Sequence, residues 1–78
     1  MKIIAKDQQQ ADTLVKAFNL SAADLENTLV QNGLEIELDD LDLDIMIDGL
    51  YYAGYASEVI EVLLEALGSY DHNSILVL

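Results

Sequence analysis

The sequence contains no cysteine, few cations and no long hydrophobic run. Without cysteine it forms neither a disulfide framework nor a thiolate metal site, which is typical of an intracellular protein. No apolar run approaches the roughly 18 residues that cross a bilayer. The amino-terminal MKIIAKDQQQ is interrupted by charge too early to be a signal peptide. We therefore expect a cytoplasmic protein that does not enter membranes.

Cations are confined to the start of the chain. Three lysines, Lys2, Lys6 and Lys16, oppose fifteen acidic residues, so the formal net charge is −12. From Ala17 onwards there are thirteen acids and no lysine or arginine. Such a chain is repelled by DNA, RNA and anionic membranes and attracted by basic surfaces. The charge excludes direct nucleic-acid binding. It favours a basic protein partner, or else it only keeps a small apolar protein soluble.

The hydrophobic pattern predicts an α+β fold in a single domain, residues 1–78. A chain of 78 residues suits one domain, and its 53% of apolar residues suffice for a core. About four helical segments should pack on a sheet of two or three strands. The helices are expected near residues 7–19, 21–33, 40–55 and 57–68, and the strands at residues 2–6, 34–38 and 74–78.

A few residues mark the ends of these segments. Asp7 is suited to the N-cap of the first helix, which Asn19 should end. Gly33 is suited to the left-handed position just after the second helix. The closing SILVL is a continuous apolar run, which is typical of a strand buried on both faces. This last strand should pair with either of the other two.

The most acidic stretch is EIELDDLDLDIMID, residues 35–48, in which half of the positions are carboxylates. Its first residues alternate, so Glu35 and Glu37 share one face of a strand. The alternation breaks at Asp39 and Asp40. Either a bulge returns the later acids to the same face of an extended segment, or one of the two aspartates caps a helix. The length of the following run and the weak strand propensity of aspartate favour the helix.

In the helical interpretation, two stripes of side chains run along residues 40–55. Leu43, Ile47 and Leu50 form the stripe that faces the core. The neighbouring stripe, at i, i+4, i+7 and i+11 spacing, consists of Asp44, Asp48, Tyr51 and Tyr55.

The aspartates also raise the question of a calcium loop. Asp40, Asp42 and Asp44 have the spacing of the first three ligands of an EF-hand. Ile45 and Tyr51, however, stand where that loop requires glycine and glutamate. We therefore expect no metal site.

Catalytic residues are equally hard to find. Ser57, Asp71 and His72 are the residue types of a hydrolase triad, but no nucleophile elbow surrounds the serine. No other set of residues fits the roles of nucleophile, base and oxyanion donor. We expect a protein without enzymatic activity and without a cofactor.

In its shortness, its acidity, its lack of cysteine and its clustered carboxylates, the chain resembles small phage-encoded inhibitors of host defence. Anti-CRISPR proteins and DNA-mimicking anti-restriction proteins are examples. The likeness covers overall character and no aligned motif. It implies a stoichiometric inhibitor that occupies the basic, nucleic-acid-binding surface of a bacterial effector.

The central stretch supplies the residues expected to bind such a partner. Carboxylates pair bidentately with arginine, and tyrosines provide rigid contact area. Two other functions use the same composition: an immunity or antitoxin protein that neutralises a basic toxin, and a structural module that forms a homodimer or larger homo-oligomer. The simplest alternative treats the acids as a solvated surface and the tyrosines as core and boundary residues. The candidate partner-binding residues are Glu35, Glu37, Asp39, Asp40, Asp42, Asp44, Asp48, Tyr51, Tyr52 and Tyr55.

Overall fold

The structure is a computed structural model that describes residues 1–22, 29–55, 57–69 and 74–78. Within these ranges the chain forms three α-helices and four short β-strands, so the predicted α+β class is confirmed. The described residues have one helix fewer and at least one strand more than the sequence predicts. In chain order the elements are β1 (Lys2–Ile4), α1 (Gln8–Ser21), β2 (Val30–Asn32), β3 (Glu35–Glu37), α2 (Asp40–Ala53), α3 (Ser57–Gly68) and β4 (Ile75–Val77).

The four strands form one mixed sheet in the order β2-β3-β1-β4. β3 is antiparallel to both β1 and β2, whereas β4 runs parallel to β1. Ile3 and Ile36 are opposite each other in register and are fully buried. They join a core that includes side chains of all three helices. The helices therefore cover one face of the sheet, and we call the opposite face the outer face.

β4 pairs with β1, which is one of the two partners expected for it. The prediction that it is buried on both faces is wrong, because Ile75 and Val77 are 62% and 68% exposed. The strand lies at the edge of the sheet, and its alternate residues point to the outer face. A continuous apolar run is therefore not proof of a central strand, since position within the sheet decides burial.

The prediction of a helix over residues 21–33 is wrong at its carboxyl end, where Val30–Asn32 forms β2. Residues 23–28, in the middle of that predicted helix, lie outside the described residues. Gly33 has a φ of 62° and begins a two-residue connection to β3. A positive-φ glycine suits both the end of a helix and the first position of a tight hairpin. Because β2 pairs with β3, Gly33 belongs to a hairpin and does not end a helix.

α1 begins as the sequence predicts and ends later. Asp7 is its N-cap, and the Asp7 Oδ1 atom accepts a hydrogen bond from the Gln10 backbone N–H at 2.7 Å. The helix passes the expected end at Asn19 and continues to Ser21, because no residue there interrupts the backbone hydrogen bonds. The Ala22 N–H still donates to the Phe18 carbonyl oxygen at 2.9 Å.

Within the acidic stretch, Glu35–Glu37 forms β3 and the residues from Asp40 onwards belong to α2, which confirms the helical interpretation for residues 40–53. The inward stripe of Leu43, Ile47 and Leu50 is buried as expected. The helix ends at Ala53, since Gly54 adopts a left-handed conformation with a φ of 74° and caps it. In the part of the chain that the structure describes, no helix is both long enough and apolar enough to cross a membrane.

Candidate functional site

The first acids of α2 stabilise the start of that helix. The Asp39 Oδ1 atom accepts a hydrogen bond from the Asp42 N–H at 2.8 Å, and the Asp42 Oδ2 atom accepts one from the Asp39 N–H at 3.5 Å. This reciprocal capping box satisfies two backbone donors that the helix would otherwise leave without partners. Asp42 is only 4% exposed. Although Asp42 is one of the candidate partner-binding residues, its carboxylate faces the helix start and is not available to a partner.

Asp40 also has a structural role at the same helix end. It lies in the first turn, where a negative charge interacts favourably with the helix dipole. Its Oδ1 atom accepts a hydrogen bond from the Leu41 N–H at 3.0 Å. The spacing of Asp39 and Asp42 is a capping-box signal in the sequence itself. Part of the acidity of residues 39–42 is thus explained by local structure without any partner.

The remaining acids of α2 lie on one exposed helix face. Asp40, Asp44 and Asp48 are exposed and follow one another at i, i+4 and i+8, so that successive carboxylates are about 6 Å apart along the axis. Exposed apolar and aromatic side chains lie beside them. Together with the carboxylates they span an arc of about 120° around the helix axis. We call this surface the acidic face; it consists of Asp40, Leu41, Asp44, Asp48, Tyr51 and Tyr52.

Three large side chains on the acidic face are exposed to solvent. Tyr52 is 84% exposed and Tyr51 is 58% exposed, so neither ring is a core residue. Leu41, which is absent from the sequence-predicted set, is 63% exposed. The signal for Leu41 was available, because a helix that starts at Asp40 places Leu41 beside Asp44 and Asp48. Three large side chains are thus held in solvent next to three carboxylates.

Glu35 and Glu37 lie on a different surface from the acidic face. They alternate with the buried Ile36 and therefore point to the outer face of the sheet. There they flank Lys2, which is opposite Glu37 in register and whose Nζ atom is 3.5 Å from the Glu35 Oε2 atom. The single positive charge of Lys2 offsets one of the two carboxylates. The acidic stretch is consequently divided between a partly neutralised strand and an unpaired helix face.

Tyr55 lies apart from the acidic face as well. The expected stripe of Asp44, Asp48, Tyr51 and Tyr55 is present only as far as Tyr51, because the left-handed Gly54 turns the chain away from the helix path. Tyr55 lines two recesses against α1, and Lys16 lines one of them. Its side chain therefore belongs to a surface with positive charge.

The aspartates of α2 do not converge as metal ligands would. Asp40, Asp42 and Asp44 lie in a helix and form no loop, and the buried Asp42 points away from the exposed face that Asp40 and Asp44 share. Among the described residues, no group of three or more histidine, aspartate or glutamate side chains is arranged to hold a metal ion. Ser57 is the first residue of α3, while Asp71 and His72 lie outside the described residues.

Comparisons of the chain with protein-family models, curated proteins and solved structures find no significant match. The resemblance to small phage inhibitors therefore stays a prediction.

Proposed function

We propose that the protein is a non-enzymatic inhibitor that acts in the cytoplasm and binds the basic, nucleic-acid-binding surface of a bacterial effector. The acidic face of α2 is the binding surface. One observation carries this proposal: three exposed carboxylates at one-turn intervals stand beside two exposed tyrosines. None of the three carboxylates forms an ion pair with a described residue.

A row of carboxylates suits a surface that normally holds phosphates, although its charges are about twice as far apart as those of one DNA strand. Each strand of duplex DNA carries one charge per about 3.4 Å of axis. Asp40, Asp44 and Asp48 present one charge per about 6 Å over roughly 12 Å. Arginine side chains that bind phosphates also bind carboxylates in a bidentate manner. A basic channel would therefore accept this helix face in place of a short stretch of backbone.

The exposed apolar side chains add contact that charge alone lacks. Tyrosine is enriched at the centres of protein interfaces, where it buries a large rigid surface at low entropic cost. Tyr51 and Tyr52 are placed for such contact and are not needed for the core. In this mechanism long-range attraction speeds encounter, while arginine–carboxylate pairs and ring packing slow release. Binding should weaken as salt rises, because screening acts on the exposed charges.

The decisive experiment captures the partner and then tests the acidic face against a matched surface. The immobilised protein is incubated with bacterial lysate at low salt, and proteins eluted by rising salt are identified. The purified partner is then titrated with two triple variants. One variant carries Asp40→Asn, Asp44→Asn and Asp48→Asn. The control carries Glu58→Gln, Glu61→Gln and Glu65→Gln on the exposed side of α3, which removes the same formal charge.

We expect the α2 variant to lose at least about tenfold in affinity for the partner and the α3 variant to lose much less. Direct pairs between carboxylates and the partner's arginines contribute more to affinity than overall net charge does. Nucleic acid should also compete with the protein for its partner. Equal losses in the two variants would contradict a specific acidic face. A captured partner that is a toxic enzyme without a nucleic-acid site would favour the immunity or antitoxin alternative.

In the homo-oligomer alternative, the outer face of the sheet is a candidate surface for contact between copies of the chain. Val30, Ile75 and Val77 are exposed there. Four three-residue strands span only about 190 Å² in projection, whereas a stable interface takes about 800 Å² from each partner. Sedimentation analysis of the purified protein tests this alternative directly, and a tight dimer that buries the tyrosines would argue against the inhibitor function.

A further inference from the structure

A groove with positive charge lies between α1 and the α2–α3 connection, apart from the acidic face. Its larger recess has a volume of about 340 Å³ and is lined in part by Lys6, Thr13, Leu14, Leu50 and Val59. Its smaller recess has a volume of about 230 Å³ and is lined by Lys16, Ala17, Leu20 and Ala53. Tyr55 lines both recesses, so we call the whole surface the Tyr55 groove.

The Tyr55 groove contains two of the three cations of the chain. Lys6 and Lys16 are exposed, and neither forms an ion pair with a described residue. Among the described residues, Asp7 supplies the only carboxylate that lines the groove, and it caps α1 by accepting a hydrogen bond from the Gln10 N–H. On a protein with a net charge of −12, the groove is therefore a local region of positive charge.

Lys16 also interacts electrostatically with Asp12, which is not among the described residues that line the groove. Hydrogen bonds from Gln8 and Gln31 lower the pKa of the Asp12 carboxyl, and the charge of Lys16 makes a smaller contribution. Asp12 is already engaged by the two glutamine side chains. The ammonium group of Lys16 thus remains open to another carboxylate.

The floor of the groove is apolar and its rim is exposed. Leu14 and Leu50 are fully buried beneath the larger recess, and Ala17 is buried beneath the smaller one. Tyr55 and Leu20 are 40% and 51% exposed at the rim. A small-molecule site buries most of the surface of its ligand in one cavity. Two small open recesses on either side of a tyrosine suit separate side chains of a peptide better than one enclosed ligand.

We infer that the Tyr55 groove binds a short acidic peptide segment of a protein. Apolar side chains of the segment enter the recesses on either side of Tyr55, and its carboxylates pair with Lys6 and Lys16. Charge complementarity selects this occupant, because basic segments are drawn to the acidic face instead. At physiological salt the screening length is about 8 Å, so distant acids of the protein repel the peptide only weakly. The groove therefore recognises a partner of opposite charge to the partner of the acidic face.

The test selects binders from a phage-displayed library of random 12-residue peptides at 0.15 M salt. Enriched peptides are synthesised with a fluorescent label, and their affinities are measured by anisotropy. We expect enriched peptides that combine aspartate or glutamate with leucine or an aromatic residue. Their affinity should fall about tenfold in a variant with Lys6→Gln and Lys16→Gln, since both charge-assisted contacts are lost. Tyr55→Ala should lower it as well.

Lys2→Gln is the matched control, because it removes the third lysine from the sheet, away from the groove. It should leave peptide affinity unchanged. Circular dichroism on each variant separates loss of binding from loss of folding. Three results would overturn the inference: no enrichment, acidic peptides whose binding does not depend on Lys6 and Lys16, and exclusively basic peptides. Basic peptides whose binding depends on Asp44 and Asp48 would leave the proposed function intact.

Discussion

Gly49 of α2 faces the backbone carbonyl of Ala17 in α1, where the two helices pack against each other. A Cβ atom at position 49 would overlap the Ala17 carbonyl oxygen and lie 2.6 Å from its carbonyl carbon. Because the obstacle is backbone, no rotamer change relieves it. Glycine is thus required here by helix packing, although α2 would otherwise be more stable with alanine.

Gly49→Ala should therefore destabilise the protein by at least about 2 kcal/mol, because the two helices must move apart. A domain of this size has little stability to spare, so the loss should appear as a large drop in the midpoint of urea unfolding. Gly68→Ala is the control, since a Cβ atom at that position meets no atom within 4 Å. Equal stability of the two variants would show that α1 and α2 pack differently.

Asp39→Ala should cost about 1 kcal/mol in the free energy of unfolding, because the Asp42 N–H loses its acceptor at the start of α2. Asp39→Ser should retain most of the stability, since serine also accepts this hydrogen bond. Urea unfolding followed by circular dichroism measures both variants. If serine proved as harmful as alanine, the side-chain cap would not be the cause.

Asp44→Lys should stabilise the protein and weaken partner binding at the same time. Asp44 lies one turn from Asp40 and one turn from Asp48, so lysine replaces two repulsive i, i+4 pairs with two attractive ones. The expected gain is about 0.5–1 kcal/mol at low salt, and it should shrink as salt is added. Thermal unfolding at two salt concentrations gives the gain. A destabilised variant would mean that Asp44 has a structural contact in the fold.

Acidification should remove a small contribution to the free energy of unfolding that comes from the ionised Asp12 carboxylate. Hydrogen bonds from Gln8 and Gln31 lower the pKa of this carboxyl below its ordinary value of 3.8. The contribution is therefore fully present above that value and is lost as pH falls through the lowered pKa. Gln31→Ala, which removes one donor 3.2 Å from the Asp12 Oδ1 atom, should lower the melting temperature slightly at pH 6.

Below the lowered pKa of Asp12, the melting temperatures of Gln31→Ala and the wild type should differ less than they do at pH 6. Gln9→Ala, at an exposed glutamine in α1 instead of β2, serves as the control for loss of side-chain volume. A difference between Gln31→Ala and wild type that is constant from pH 6 to pH 2 would mean that Gln31 acts independently of the Asp12 charge.

The elements that could be predicted from the sequence are those whose signals are local. The inward spacing of Leu43, Ile47 and Leu50 indicates α2, and Asp7 marks the start of α1. The glycine at position 33 could not be interpreted this way, because a helix end and a hairpin both require a positive φ there. Only the pairing of β2 with β3, between residues several positions apart, distinguishes the two.

The candidate site was predicted in part for the same reason. Helical periodicity alone places Asp44, Asp48 and Tyr51 on one face, and they lie on the acidic face. Three other members of the predicted set lie elsewhere for reasons that periodicity does not contain. Glu35 lies beside Lys2 because β3 pairs with β1, and Asp42 is buried at the start of α2. Tyr55 leaves the helix path because Gly54 is left-handed.

The sequence by itself determined the negative charge of this protein, its α+β class and the helical repeat that aligns three carboxylates, since each depends on composition or on neighbours within a few residues. Only the tertiary structure decided which acids remain unpaired, that β4 is an edge strand, and that Lys6 and Lys16 border one groove with Tyr55. Those features depend on contacts between distant segments, and the free energy of such contacts is set by packing and by strand order, which a local pattern does not specify.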